Sequence, residues 1–183
     1  MILADGRALS AAEHYLKAVE DCFTLYKYEV GLKRVIHDMK FRKAKRYGRH
    51  LNWLLETGCR DRSFKGVDAV VPVPLHADRL NERGFNQTEL IFRTWAENRG
   101  LKWQEALIRI RKTKPQWELT LAERRSNIKG AFRVIRTEFV TGKSILLVDD
   151  IFTTGLTLDE CAKELKKAGA KQVSCLTLAS NAK

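Results

Sequence analysis

The stretch SILLVDDIFTTGLT, at residues 144–157, constrains the fold more than any other part of the sequence. Its first residues form a short apolar run of the kind that makes a buried strand. Two adjacent carboxylates follow, Asp149 and Asp150, and threonines with a glycine then lead into a helical pattern. A buried strand that delivers polar groups to a helix start is typical of a parallel α/β sheet, whose ligands bind at the carboxyl ends of the strands.

An earlier part of the chain has the same order of strand, loop and helix. Residues 67–73, VDAVVPV, predict a buried strand that ends in a proline-containing loop. Asn86 and Glu89 stand at capping-box spacing and predict a helix that ends at Gly100. This segment is therefore a first strand, loop and helix unit.

The second unit continues beyond the acidic pair. Thr157 and Glu160 predict the start of a helix that ends at Gly169, and residues 171–179 predict a further strand. Strands that alternate with helices pair in parallel through right-handed crossovers. The predicted fold class is therefore α/β, with a mostly parallel sheet flanked by helices.

The N-terminal third is predicted to be helical. Residues 8–25 fit one helix, and residues 31–58 place apolar side chains at helical spacing. We expect a helical segment at residues 1–64, packed on a core of residues 65–183, within a single domain overall.

Charge and cysteine usage limit the function classes. The net charge of +12 favours anionic partners, which include phosphorylated small molecules, nucleic acid and acidic lipid surfaces. The four cysteines form no CxxC pair, so we expect reduced thiols and no zinc. No apolar run is long enough to span a bilayer and the N-terminus has no signal-peptide pattern, so we expect a cytoplasmic protein without a transmembrane segment.

The loop that follows the acidic pair has the chemistry of a sugar phosphate site. Thr153, Thr154, Gly155 and Thr157 offer hydroxyl and backbone N–H donors at a helix N-terminus, where anions bind. Carboxylates beside such a loop accept hydrogen bonds from sugar hydroxyls. The pattern does not fit a P-loop, because the GKS at residues 142–144 precedes its strand instead of leading into a helix.

The first loop carries basic residues suited to a pyrophosphate. Arg79 and Arg83 lie between a strand end and a helix start, with Gly84 beside them and His76 nearby. Arginine binds phosphate oxygens through bidentate hydrogen bonds. The alternative interpretation is an exposed basic loop without a ligand.

These motifs resemble a known family. LLVDDIFTTGLT looks like the phosphoribosyl-pyrophosphate (PRPP) signature of type I phosphoribosyltransferases. VVPVPLHADRLNERGFNQ, at residues 70–87, and QWELTLAERRSNIKGAF, at residues 116–132, resemble the ComF (competence protein) branch. The similarity extends over roughly residues 26–180.

The resemblance implies a PRPP pocket and phosphoribosyl transfer. It assigns the ribose hydroxyls to the acidic pair and the 5′-phosphate to the threonine loop, while Mg²⁺ arrives with PRPP and has no direct protein ligand. The implied reaction is displacement of pyrophosphate by a nitrogen nucleophile, although turnover itself stays open. The implied catalytic residues are Asp149, Asp150, Arg79 and Arg83.

The resemblance also implies a hood loop that closes over the diphosphate, at residues 109–132. Its candidate contacts are Lys114, Gln116, Arg124 and Asn127. A solvated surface charge is the alternative interpretation of Lys114. Relatives of this type commonly carry a cysteine-rich zinc module, which we do not expect here because Cys22 stands alone.

A second hypothesis is a protein that handles single-stranded DNA during DNA uptake and keeps the PRPP pocket. Residues 40–50, KFRKAKRYGRH, interleave basic and aromatic side chains as a nucleic-acid track requires. Other competence proteins and peripheral membrane association fit this hypothesis too, whereas a solvated helix face is the plain alternative. The candidate nucleic-acid contacts are Lys40, Arg42, Lys43, Lys45 and Arg46.

Overall fold

A four-stranded parallel sheet forms the centre of the protein, in the strand order β1-β6-β5-β2. The computed structural model describes residues 16–113 and 119–181. The strands of this sheet are β1 (Asp21–Lys27), β2 (Ala69–Pro72), β5 (Ser144–Phe152) and β6 (Gln172–Ser180). Two short antiparallel strands, β3 (Leu107–Arg109) and β4 (Phe132–Val134), form a second sheet. The predicted α/β fold with a parallel sheet is confirmed.

Helices cover both faces of the central sheet. In the described part of the chain they are α1 (Val30–Phe41), α2 (Tyr47–Gly58), α3 (Ala77–Arg83), α4 (Gln87–Asn98), α5 (Leu121–Ile128) and α6 (Leu156–Lys167). Alternate residues of β5 supply the two hydrophobic cores, as the two-residue period of a strand requires. Leu147 packs with α6, β3 and β4 on one face, and Leu146 packs with α1, α2 and α4 on the other.

The β5 strand is longer than the strand beside it. β2 ends at Pro72, which lies opposite Val148, whereas the pairing of β5 with β6 continues to Phe152 opposite Ser180. The apolar run in the sequence predicts a strand that ends at Val148. The strand in fact continues over residues 149–152, which pair with β6 alone. Residues 149–152 therefore have an open edge on the side where β2 has ended.

The predicted helix at residues 8–25 is wrong where the structure describes it. Asp21–Lys27 form β1, which pairs in parallel with β6, and residues 8–15 lie outside the described residues. The physical reason is a contact distant in sequence, because Thr24 Oγ1 lies 2.8 Å from Thr177 Oγ1 in the neighbouring strand. β1 thus joins the same sheet as the later strands, while the expected division at residues 64 and 65 stays a prediction.

Two other predictions are corrected locally. The helical stretch at residues 31–58 is divided into α1 and α2, and Lys43 between them has a left-handed φ of 54°. The N-cap of α6 is Gly155 rather than Thr157, which lies inside the first turn. Within the described residues, no helix combines the length and apolar character needed to cross a membrane.

Candidate functional site

The acidic pair lies at the open edge of β5. Asp150 is 3% exposed, and its Oδ2 atom lies 2.6 Å from the ammonium of Lys40 at the end of α1. Asp149 Oδ1 accepts hydrogen bonds from the Thr88 hydroxyl at 3.2 Å and from the Asp150 backbone N–H at 2.8 Å. The Asp150 N–H faces the side that β2 has left, so the Asp149 carboxylate takes the place of a strand partner.

The electrostatics of the pair favour protonation of one carboxyl group. Burial, followed by repulsion from Asp150, raises the pKa of Asp149 to about 7, and the Lys40 ammonium opposes this rise. Two adjacent carboxylates in one crevice interact strongly, so their protons come off in coupled steps. A hydroxyl-rich or cationic ligand that binds the ionised pair would therefore release a proton near neutral pH.

The loop between β5 and α6 is shaped by Gly155. Its φ of 76° lies in the left-handed region, which glycine adopts without strain. A Cβ at this position would lie 2.9 Å from Leu16 Cδ2 and 3.1 Å from the Phe152 ring. No larger residue fits there without a shift of these neighbours. The packed glycine brings the loop backbone close to the end of β5.

The same loop encloses a small polar cavity of about 20 Å³. Thr154 Oγ1 is buried and has no hydrogen-bond partner among the described residues. A buried hydroxyl without a partner costs about 1–3 kcal/mol, so its position invites a ligand oxygen or a water. Among the described residues the cavity is lined by Asp149, Ile151, Phe152, Thr153, Gly155, Thr157 and Leu158, so Thr154 belongs to the same loop but does not itself line the cavity.

The two predicted arginines occupy a short helix rather than a loop. Both Arg79 and Arg83 belong to α3, which begins after the N-cap residue His76. Arg83 is 8% exposed and donates a hydrogen bond to Gln87 Oε1. Burial lowers the pKa of the Arg83 guanidinium, and the charge of Asp150 opposes this change. Arg83 therefore acts electrostatically on the acidic pair.

Sequence reasoning missed Arg109, at the end of β3. Burial lowers the pKa of this guanidinium, and the nearby groups that affect it are Cys161, Arg79, Asp149 and Arg111. Its Nε atom is buried without a hydrogen-bond partner among the described residues, while another nitrogen donates to Thr113. Its place at the start of the hood segment was visible in the sequence, but its approach to the acidic pair depends on the fold.

The hood segment leaves and rejoins the core through the β3 and β4 ladder. Lys114 and Gln116 lie outside the described residues. Arg124 Nε donates to the Leu119 carbonyl at 3.0 Å, and the Asn127 carbonyl accepts from Arg111 at 2.9 Å. The helix α5 that carries these residues begins with a capping box. These hydrogen bonds of Arg124 and of the Asn127 carbonyl are thus made within the hood segment.

The structure separates Lys40 from the other predicted nucleic-acid contacts. The Lys40 side chain is 22% exposed and reaches Asp150, whereas Arg42, Lys43, Lys45 and Arg46 are exposed. The predicted track therefore contains one residue that belongs to the acidic pair. Its remaining members lie at the turn between α1 and α2.

An open groove continues this basic surface along α2. Its volume is about 450 Å³, and it is lined by Arg46, Arg49, His50 and Trp53. Trp53 is 66% exposed, which is unusual for so large an apolar side chain. Neither Arg49 nor Trp53 is among the contacts predicted from the sequence, although Arg49 lies within the basic stretch and Trp53 just after it.

This chain resembles one family model and several known proteins in sequence. Residues 99–183 match the family model described as the phosphoribosyl transferase domain. The DNA utilization protein YhgH of Escherichia coli K12 is 34% identical over 178 residues, which cover 93% of this chain and 76% of that protein. Competence protein F of Haemophilus influenzae is 34% identical over 161 residues, which cover 83% of this chain and 69% of that protein.

Among solved structures, the chain is similar to the glutamine PRPP amidotransferase from B. subtilis complexed with ADP and GMP. The identity is 19% and the TM-score is 0.48, over 73% of this chain and 26% of that one. The chain thus spans about a quarter of the length of that enzyme.

The chain has the type I phosphoribosyltransferase fold, with an acidic pair and a threonine loop at the edge of its parallel sheet. The relatives with about 34% identity narrow this class further. The chain belongs to the ComF-type branch of the phosphoribosyltransferase-domain family.

Proposed function

We propose that the protein binds PRPP with Mg²⁺ in the crevice at the end of β5 and transfers its phosphoribosyl group to a nitrogen nucleophile. The observation that carries the proposal is the buried Thr154 hydroxyl, which has no partner among the described residues and lies in the loop next to the acidic pair. A sugar phosphate has a phosphate oxygen that can accept a hydrogen bond from this hydroxyl. It also has a diol that can donate hydrogen bonds to the two carboxylates.

The proposed roles follow the positions of the side chains. Asp149 and Asp150 accept hydrogen bonds from the two ribose hydroxyls, and Arg79 and Arg83 bind the pyrophosphate. The 5′-phosphate binds at the start of α6, where backbone N–H groups and the helix dipole favour an anion. Its partners in the loop are Thr153, Thr154, Gly155 and Thr157.

The fit to Mg²⁺ is indirect. Among the described residues there is no group of three or more His, Cys, Asp or Glu side chains that would hold a metal ion. In this proposal Mg²⁺ enters with the pyrophosphate, where it would neutralise charge on the leaving group. The protein supplies the surrounding positive charge through Arg83 and, near Asp149, Arg109.

In the proposed reaction, the bond between C1 of the ribose and the pyrophosphate oxygen breaks, and a bond from C1 to nitrogen forms. Positive charge develops on the sugar while negative charge gathers on the leaving group, so fixed arginines stabilise the transition state. The nucleophile loses its proton to solvent, and the carboxylates act by positioning the ribose. Closure of the hood would exclude water, with Lys114, Gln116, Arg124 and Asn127 as its candidate contacts.

Calorimetry with PRPP and Mg²⁺ tests the pocket. Thr154→Val keeps the shape of the side chain but removes the hydroxyl, so we expect about tenfold weaker binding. Asp150→Asn should weaken binding further, because it removes a charged acceptor from the diol. Thr94→Val, on the exposed side of α4, is the matched control and should bind like the wild type. Equal affinity of Thr154→Val, Asp150→Asn and the wild type would contradict the proposal.

The second candidate function is handling of single-stranded DNA. It is favoured by the open groove at α2, which places an exposed indole among basic side chains. Bases stack on such aromatic rings while cations follow the phosphates. Two relatives are named competence protein F and DNA utilization protein, and the second name supports a role with DNA.

Filter binding at several salt concentrations tests this second function. Charge reversal at Lys43, Lys45 and Arg46 should weaken binding and lower the slope of log affinity against log salt. Trp53→Ala should weaken binding about tenfold or more by removing a stacking surface. DNA binding that is independent of salt, and unchanged in both variants, would exclude this groove as the DNA-binding site.

A further inference from the structure

Lys40 makes an internal contact that nucleic-acid binding does not explain. It lies in the last turn of α1, beside the exposed basic turn, yet its ammonium reaches Asp150 at the edge of the sheet. The distance from Lys40 Nζ to Asp150 Oδ2 is 2.6 Å, and the two side chains are 22% and 4% exposed. A long flexible side chain loses rotamer freedom in this geometry, so a particular partner must hold it there.

The enclosure makes this pair stronger than a surface ion pair. Exposed pairs contribute little because water and salt screen them, whereas a buried charge without a partner is strongly unfavourable. Asp150 is buried beside a second carboxylate, so repulsion adds to the cost of desolvation. The Lys40 ammonium is the cation in direct contact with the pair in the described residues.

We propose that Lys40 is a positioning residue of the pocket: its ammonium fixes the Asp150 carboxylate and supplies the counter-charge that lets both carboxylates be ionised when a sugar diol binds. This inference rests on the proposed PRPP pocket and deepens it. Lys40 acts through Asp150 and does not itself contact the ligand.

Other charged and titratable groups lie near the acidic pair. Arg83 is buried and donates to Gln87, and Arg109 lies on the side of the hood. Among the described residues, neither arginine forms an ion pair or a hydrogen bond with a carboxylate of the pair, so each acts at longer range than Lys40 does. The titratable and charged groups that interact with the pair are Tyr28, Lys40, Arg83, Arg109, Cys161 and Cys175, and Arg79 acts on the two arginines.

Loss of the ammonium has a predictable sign. Lys40 lowers the pKa of Asp149, against the larger effects of burial and Asp150. Without Lys40 the pKa rises further, so the pair holds a proton at neutral pH and accepts one hydrogen bond fewer from a diol. An opposite charge at this range commonly shifts a pKa by 1–3 units, so we expect an upward shift of about one pH unit.

The first measurement needs no ligand. Carboxyl carbon chemical shifts of Asp149 and Asp150 are followed by NMR between pH 4 and 10 in the wild type, Lys40→Met and Lys40→Arg. The charge-neutral variant should titrate about one unit higher, and Lys40→Arg should restore the wild-type midpoint. Lys33→Met, an exposed lysine on the same helix, is the matched control and should leave the midpoint unchanged. If Lys40→Met does not fold, Lys40→Gln takes its place.

The second measurement is the affinity for PRPP and Mg²⁺ across the same pH range. We expect Lys40→Met to bind about tenfold more weakly at pH 7 and to regain wild-type affinity at pH 9. An unchanged carboxyl midpoint would overturn the inference. An affinity loss that is equal at every pH would overturn it too, because at high pH the pair should ionise even without the counter-charge that Lys40 supplies. A wild type that fails to bind PRPP would contradict the proposed function but leave the carboxyl titration as a separate test of Lys40.

Discussion

The crevice at the end of β5 and the groove along α2 both contain several charged side chains. The charged side chains of the crevice are buried or half-buried, whereas those of the groove are exposed. Asp150 in the crevice is 3% exposed, whereas Trp53 in the groove is 66% exposed. Burial shifts the pKa of Asp149 and brings Lys40 into a fixed ion pair. In the groove, water and salt screen the charges and leave them available to a mobile polyanion. The crevice therefore suits a small ligand held in one geometry, and the groove suits a strand that slides.

The largest expected contrast comes from two tryptophans. Trp95 of α4 is fully buried, so Trp95→Ala should lower the free energy of unfolding by about 3–5 kcal/mol. Trp53→Ala removes an exposed ring and should change it by about 0.5 kcal/mol or less. Urea denaturation measures both variants. A large loss of stability in Trp53→Ala would show that the groove is part of the core and would break the comparison.

The next effect concerns the packed loop of the crevice. Gly155→Ala should destabilise the protein by about 2–3 kcal/mol, because strain at a positive φ adds to the contact with Leu16 and Phe152. Gly66→Ala is the matched control. Gly66 has a φ of 87° but open space around an added Cβ, so its cost should be only about 1 kcal/mol. Equal losses in thermal denaturation would mean that the loop has room for a side chain.

A smaller effect is the pH dependence of stability. The folded pKa of Asp149, about 7, lies above the ordinary value of 3.8, so the folded state binds the extra proton. Stability should therefore fall as the pH rises from about 4 to 7, and the penalty should be complete above pH 7. Asp149→Asn removes this slope and should be about 1–2 kcal/mol more stable than the wild type at pH 8.

Urea denaturation at pH 5, 6 and 8 measures this slope. Asp61→Asn, at an exposed carboxylate, serves as the control and should keep the slope of the wild type. A wild-type protein whose stability rises between pH 5 and 8, with no change of slope in Asp149→Asn, would argue against the enclosed character of the pair.

The smallest effect is expected at the basic turn. Lys43 has a φ of 54°, so Lys43→Gly should relieve backbone strain and stabilise the protein by about 0.5–1 kcal/mol. The same change removes one cation and should lower DNA affinity slightly at low salt. Lys45→Gly, in the same turn, removes a charge without relieving a positive φ and should bring no gain. A loss of stability in Lys43→Gly would show that this lysine has a structural role.

The parts of the fold that sequence patterns predicted are those with strong local signals. β2, α4, α6 and β6 follow from apolar runs, caps and terminal glycines. The local pattern predicts a helix where β1 lies, because the pairing of β1 with β6 joins residues about 150 positions apart, as in the contact between Thr24 and Thr177. β3 and β4 span only Leu107–Arg109 and Phe132–Val134, which is too short for periodicity to show.

The site divides in the same way. The acidic pair and the threonine loop could be named as candidates from the sequence because their residue types stand at a strand end or a helix start, whereas Arg83 was expected in a loop and lies at the end of α3. The contact between Lys40 and Asp150 could not, since it depends on how α1 packs against the sheet. Arg109 was missed for a similar reason, because only the fold brings the end of β3 near Asp149.

The length of β5 has one more consequence. Beyond Val148, the strand that carries the acidic pair is supported by β6 alone, with Asp149 opposite Thr177 and Ile151 opposite Ala179. The strand end that carries the proposed pocket is thus attached along a single side. Slow amide exchange at Ile151 would report on the strength of that attachment. A substitution on β6 would then change the affinity of the proposed pocket for its ligand without a direct contact between the substituted side chain and that ligand.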